Sequence, residues 1–134
     1  MPTPRSPQRI LLIGSTGPMG RAVLTQSDPA QHDIRAFARR PAALESTWPN
    51  VVQGDVRDRS SLRTALADID VVICTLGGKP WHRDARGVHE AGTANLISAM
   101  NEAGCGRLIA VTGVGAGSSR GHGPFYYNWF ARPT

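Results

Sequence analysis

"LLIGSTGPMGRAV" (residues 11–23) decides how this chain is read. An apolar run stops at Gly14, glycine recurs at positions 17 and 20, and an apolar-periodic segment begins. A strand that turns directly into a helix through glycines at this spacing presents backbone amides, not side chains, to whatever lies above it. Each glycine has a separate task. Gly14 permits the tight turn off the strand. Gly17, without a Cβ, lets a pyrophosphate approach the backbone, and Gly20 lets the helix pack close to the strand. Thr16 and Met19 complete the loop, and Pro18 suits the first helical turn, where a missing amide hydrogen is tolerated. A plain glycine-rich turn is the competing reading of the same residues.

The end of the next apolar run bears on which dinucleotide such a loop would hold. A carboxylate about 20 residues beyond the glycines accepts hydrogen bonds from a ribose 2′-hydroxyl. Here the run ends "AFARRP", with Asp33 at its beginning and Arg39 and Arg40 at its end. Guanidinium groups suit a 2′-phosphate, through charge-assisted and bidentate contacts. This pattern predicts NADP(H) in preference to NAD(H); two solvated surface arginines are the alternative.

Five apolar runs of strand length recur along the chain: 9–13, 34–38, 50–53, 70–76 and 107–112. Several are nearly continuous in Val, Ile and Leu, as strands covered on both faces are. Helical segments are expected at 21–26, at 60–67 with Asp58 or Ser60 as N-cap, and at 88–103 with Gly104 as the terminating residue. In the last of these, Val88, Ala91, Asn95, Leu96, Ala99, Met100 and Ala103 form the expected inward stripe. The stretch "RRPAALESTWP" has room for one or two helical turns. Alternation of strand and helix at this spacing predicts an α/β fold: a Rossmann-type, three-layer, doubly wound parallel sheet in the order 3-2-1-4-5. Residues 1–8, proline-rich, read as a disordered lead-in, and residues 9–134 as one domain.

Composition narrows the function classes. The 134 residues carry a net charge of +5, but the arginines are scattered, Lys79 is the sole lysine, and no basic run exceeds Arg39–Arg40. That distribution argues against a nucleic-acid partner. No apolar run approaches the ~18–20 residues of a bilayer-spanning helix, and no secretory signal precedes the first strand, so a cytoplasmic location without membrane partners is expected. Cys74 and Cys105 fall toward opposite ends of adjacent strands, too far apart for a disulfide. The histidines show no metal-ligand spacing. Lys79 and Trp81 read as an exposed loop. Phe125, Tyr126, Tyr127, Trp129 and Phe130, five of the eight aromatic residues, follow a glycine-rich stretch. Such a cluster is expected to pack against a further element or to mediate self-association into a homo-oligomer.

Taken together, "LLIGSTGPMG", "AFARRPAAL", "VVQGDVRD", "DVVICTLGG" and "RLIAVTGVGA" resemble the NAD(P)H-binding atypical short-chain dehydrogenase/reductase family. That family includes NmrA-like proteins and flavin reductases of the biliverdin-reductase-B type. The resemblance runs from about residue 9 to about residue 117. It implies that Asp55 and Val56 flank the adenine, that Leu76, Gly77 and Gly78 pass the ribose and pyrophosphate, and that Thr112 sits beside the nicotinamide. The implied activity is hydride transfer from NADPH to a flavin, quinone or carbonyl-like acceptor, with a non-catalytic dinucleotide sensor as the alternative. The acceptor, a small molecule, stays unidentified. The chain departs from the wider superfamily where a catalytic serine is common, since Gly113 follows Thr112. The positions four beyond Tyr126 and Tyr127 are Phe130 and Ala131, so the Tyr-x-x-x-Lys pair is not formed. No residue is assigned a catalytic or metal-binding role. Family members also continue past residue 134, through elements that close the substrate side.

Overall fold

The computed structural model describes residues 6–44, 46–77 and 85–111. Five strands lie in one parallel sheet: β1 (Gln8–Ile13), β2 (His32–Ala38), β3 (Val51–Gln53), β4 (Val71–Cys74) and β5 (Leu108–Ala110). Their spatial order is β3-β2-β1-β4-β5. β1 is central, with Ile13 in register with Phe37 of β2 on one side and Cys74 of β4 on the other. Helices α1 (Pro18–Gln26), α2 (Arg59–Ala65) and α3 (Ala85–Ala103) connect the strands. The expected doubly wound α/β architecture is the one found.

Alternation along the strands sorts the core into two layers. Leu11, Ile13, Phe37 and Val72 pack with Leu62, Ala65 and Leu66 of α2 and Leu96, Ala99 and Met100 of α3. Ile10, Leu12, Ile34, Ala36 and Val71 pack with Leu24 of α1 and with Leu44 on the opposite face. Each core is thus built from alternate residues of the same strands, as a sheet covered on both sides requires.

Local chemistry sets the boundaries. Asp58, not Ser60, caps α2, its carboxylate accepting from the Ser60 amide at 2.9 Å. α1 begins at Pro18 and α3 at Ala85, three residues earlier in each case than the apolar periodicity indicates. α3 stops before Gly104, whose φ of 71° is the left-handed terminator expected there. After β2, the predicted short helical stretch is a single 3₁₀ turn, Pro41–Ala43. β4 ends at Cys74 instead of residue 76, and β5 ends at Ala110 instead of 112.

Ala91 and Ala103 were expected on the inward stripe of α3 but face solvent, whereas Gly92 is buried where a Cβ would come within 2.8 Å of a Val56 methyl. Leu108, Ile109 and Val111, in and beside β5, are 37%, 45% and 46% exposed. β5 is the sheet edge and pairs only with β4 among the described residues. Arg35 interrupts the apolar pattern of β2 for a reason the pattern hides. Its Nη1 donates to the carbonyls of Ala65 and Ala67 at 2.7 and 2.9 Å, closing the C-terminal end of α2. The 113–134 stretch, with its aromatic cluster, lies outside the described residues, as do Gly78, Lys79, Trp81 and Thr112. Both cysteines are free, Cys105 buried and Cys74 half-buried.

An ion-pair cluster ties α2 to α3. Glu102 accepts from Arg59 and, at 2.6 Å, from Arg63 Nε. Hydrogen bonds from Arg63 and then Arg59 hold the Glu102 carboxyl below the usual carboxylate range. A carboxyl depressed in the folded state contributes stability above its unfolded pKa of about 4.3, and that contribution is lost as pH falls through the folded value. Glu102→Gln is therefore expected to melt slightly below wild type at neutral pH, with the two melting curves converging in acid. A gap that persists unchanged under acid conditions contradicts the assignment.

Candidate functional site

The C-terminal ends of β1, β2 and β4 converge above the centre of the sheet, where chain connections leave β1 in opposite directions. Gly14 turns the chain off β1 with φ +82°. A Cβ on it would stand 2.7 Å from the carbonyl carbon of Thr75, so the position is closed to larger residues twice over. A Cβ on Gly20 would fall on the Gly14 carbonyl oxygen and 2.7 Å from Ser15 Cα. Gly20 thus lets α1 start in direct backbone contact with the end of β1, as the spacing predicts.

Gly17 differs from both. It is the N-cap of α1 with φ −75° and ψ 167°, an extended conformation open to any residue. A Cβ there would meet nothing closer than the Gly14 carbonyl oxygen at 3.5 Å, an ordinary contact. Neither its conformation nor its packing among the described residues requires glycine at this position. The first turn of α1 has no side-chain cap and no acidic residue. The amides of Met19 and Gly20 belong to the turn in which a helix has no acceptors of its own. The positive end of the helix is therefore open toward the space that the missing Gly17 side chain leaves free.

The loop is held from three sides by residues that the sequence pattern does not single out. Ser15, fully buried, donates from Oγ to the Phe37 carbonyl at 2.8 Å. Thr75 Oγ1 lies within hydrogen-bonding distance of the carbonyls of Ile13 and Gly14, at 3.0 and 3.2 Å. Arg21 donates from Nε to the Thr16 carbonyl and from Nη2 to the Ala43 carbonyl, each at 3.1 Å. Ser15 and Thr75 were readable only as small polar residues at strand ends; their partners are 22 and 61–62 residues away in sequence.

Arg39 and Arg40 follow β2 and are exposed. The Arg39 carbonyl accepts from Gln53 at 3.4 Å, and the Ala38 carbonyl accepts from the Gly54 amide at 3.0 Å. These contacts bring Arg39 beside Asp55. Both oxygens of Asp55 are engaged by Arg57, at 2.8 Å from Nη2 and 2.9 Å from the backbone amide. The Arg57 guanidinium holds the Asp55 carboxyl below its ordinary range, and the charge on Arg39 adds to the effect. An amine approaching Asp55 would share this carboxylate with Arg57. Val56 is only 6% exposed and packs into the core, while its carbonyl accepts from Asn95 at 3.1 Å. Its contribution to the rim is the course of its backbone. Leu76 is half-buried and Gly77 exposed at the end of β4.

An open hollow of about 1180 Å³ lies at the opposite end of the sheet, lined by residues such as Gln8, Arg9, His32 and Asp70. It has no glycine loop and no helix N-terminus, and Asp70 is already paired with Arg9 at 3.0 Å. Among the described residues no helix is long and apolar enough to cross a membrane.

Known proteins align with this geometry. Residues 14–133 match the profile of the NAD(P)H-binding family. An uncharacterised protein of Mycobacterium tuberculosis is 30% identical over 122 residues, which is 87% of this chain and 12% of that one. A phenylcoumaran benzylic ether reductase of Pinus taeda is 33% identical over 111 residues, 74% of this chain and 33% of the reductase. A Rossmann-fold NAD(P)-binding family protein of Shigella flexneri superposes with a TM-score of 0.68 at 27% identity, covering 84% of this chain and 55% of that structure. The chain thus spans between about an eighth and about a half of the relatives it resembles. A glycine loop on β1 of a 3-2-1-4-5 sheet, matched by this profile over most of the sequence, places the chain in the NAD(P)H-binding family of atypical short-chain dehydrogenase/reductase type, with a nicotinamide dinucleotide as its partner.

Proposed function

We propose that the chain forms the cofactor-binding portion of a reductase that takes NADP(H) in preference to NAD(H) and delivers hydride to a flavin, quinone or carbonyl-like acceptor. The observation that carries this reading is Gly17. Its missing side chain has no explanation among the described residues and a direct one in a pyrophosphate lying against the loop. Thr16, Gly17, Pro18 and Met19 frame that phosphate site, and Gly14 and Gly20 set its shape. The amides at the start of α1 donate to the phosphate oxygens, and the helix end supplies partial positive charge.

Arg39 and Arg40 stand where a ribose-binding carboxylate is found in NAD-specific domains, and they are free to turn toward a 2′-phosphate. Asp55 and Val56 line the adenine side. Leu76 and Gly77 flank the ribose and pyrophosphate, and the family resemblance assigns Gly78 to the same stretch and Thr112 to the nicotinamide end, both outside the described residues. A bound nicotinamide supplies the hydride; the chain's residues hold and orient it. The benzylic ether reductase similarity supports reduction as the direction of the chemistry. A second reading, a dinucleotide sensor without turnover, is favoured by one observation. No Tyr-x-x-x-Lys pair occurs within these 134 residues. Oxidation of NADPH followed at the nicotinamide absorbance, with a panel of flavins and quinones, separates the two readings.

Two binding experiments test the site. NADPH is expected to bind roughly ten- to a hundred-fold more tightly than NADH, the worth of one charge-assisted hydrogen bond. Arg39→Ala should remove that gap while leaving NADH affinity nearly unchanged. Equal affinities for the two cofactors in wild type, by calorimetry, contradict the preference. Gly17→Val is expected to abolish binding of both cofactors and to leave thermal unfolding close to wild type, since the position has room for a side chain in the absence of ligand. Retention of wild-type NADPH affinity by this variant would reduce the loop to a turn.

A further inference from the structure

The cofactor reading leaves Arg21 without a role, yet this residue joins the two parts of the site. It lies in the first turn of α1, where its own amide donates to the Gly17 carbonyl at 2.9 Å. Its side chain leaves the helix and bridges two backbone segments. Nε donates to the carbonyl of Thr16, inside the glycine loop, and Nη2 to the carbonyl of Ala43, each at 3.1 Å. Ala43 closes the 3₁₀ turn that follows Arg39 and Arg40, and its amide donates back to the Arg40 carbonyl at 3.2 Å. A continuous path of hydrogen bonds therefore runs from the glycine loop through Arg21 to the arginine pair. At the base of the same gap, Ser15 Oγ donates to Phe37 at 2.8 Å. The loop and the end of β2 are pinned below by Ser15 and above by Arg21.

We propose that Arg21 is a positioning residue that sets the spacing between the pyrophosphate loop and the Arg39–Arg40 segment, and so couples recognition of the two phosphate groups of NADP(H). The proposal rests on the cofactor reading above. In the dinucleotide, pyrophosphate and 2′-phosphate are held a fixed distance apart by one ribose. A protein that presents both sites at that spacing before binding avoids ordering two loops on association. The guanidinium suits this task because Nε–H and Nη2–H point from one rigid planar edge. Both donors are committed to carbonyls, which are polar but uncharged, and Arg21 has no carboxylate partner among the described residues. An ammonium on a flexible stem has neither the planar edge nor the fixed separation of donors.

The test compares a ligand that uses both sites with one that uses a single site. Dissociation constants for NADPH, NADH and adenosine 2′-monophosphate are measured by calorimetry for wild type, Arg21→Lys and Arg21→Gln, with circular dichroism melting as the folding control. Adenosine 2′-monophosphate carries the 2′-phosphate but no 5′-phosphate, so it does not depend on the spacing. Both variants are expected to bind NADPH about ten-fold more weakly while adenosine 2′-monophosphate changes by less than about two-fold. Wild-type NADPH affinity in Arg21→Lys would reduce the role to charge alone and overturn the proposal. Equal losses for NADPH and adenosine 2′-monophosphate would show general loosening and overturn it as well. A wild type that binds NADPH no more tightly than NADH defeats the NADP(H) reading itself, an outcome separate from any effect of Arg21.

Discussion

The structure depends on one close approach: α1 begins in backbone contact with the end of β1. Gly20 rests on the Gly14 carbonyl and Ser15 Cα, and Gly14 reaches that position only through a left-handed turn beneath Thr75. A Cβ at Gly20 would push the helix off the strand, and one at Gly14 would drive the turn into Thr75. Because β1 is the central strand, the position of its outgoing helix sets one covering layer, with Leu24 of α1 buried against Ile10, Leu12 and Ile34. The same contact aims the N-terminal amides of α1 at the switch point of the sheet. Packing and ligand geometry therefore share one origin. The two outer glycines serve the fold, and the middle one is the position at which the proposed pyrophosphate approaches.

Around this contact the site is a set of loops tied to one another by side-chain-to-backbone hydrogen bonds. Ser15 fastens the loop to β2, Thr75 fastens it to β4, and Arg21 fastens it to the segment after β2. On the far side, Asn95 of α3 donates to the carbonyls of Val56 and Arg57, and the burial of Gly92 brings α3 close enough for it to do so. Each tie gives a loop or strand-end carbonyl a side-chain donor. Each also removes freedom from a loop that must meet a rigid ligand. The positive charges near the rim, Arg39 and Arg57, bracket a single carboxylate, Asp55. Arg57 is bound to it in a fork, and Arg39 acts on it through charge, so the two guanidiniums are not equivalent.

Much of this was legible in the sequence because it is written in local patterns. Glycines at spacing three after an apolar run disclose a strand–turn–helix unit, and the separation of five apolar runs by helical segments discloses a parallel sheet with its order. The roles of Gly14 and Gly20 follow from sterics that the motif already encodes. What stayed hidden has two physical sources. Long-range ties such as Ser15 to Phe37 or Arg35 to Ala65 join residues whose neighbours in sequence give no hint of their partners. Burial at an edge depends on what lies beyond it, so the half-exposure of Leu108, Ile109 and Val111 is not written in their apolar pattern. The inward stripe of α3 was misjudged at Ala91 and Gly92 for a related reason. Alanine and glycine differ little in hydrophobicity, and the need for close approach to Val56 decides between them.

The central claim is that the dinucleotide lies along the path from the Gly17 loop to Arg39. The most direct measurement is an amide and arginine-Nε NMR titration of the full chain with NADPH. The account predicts the largest shifts at the amides of Gly17, Met19 and Gly20 and at Arg39 Nε, with residues at the opposite end of the sheet, such as Gln8, His32 and Asp70, unmoved. Shifts confined to that opposite hollow, with the glycine loop unchanged at saturation, would contradict it.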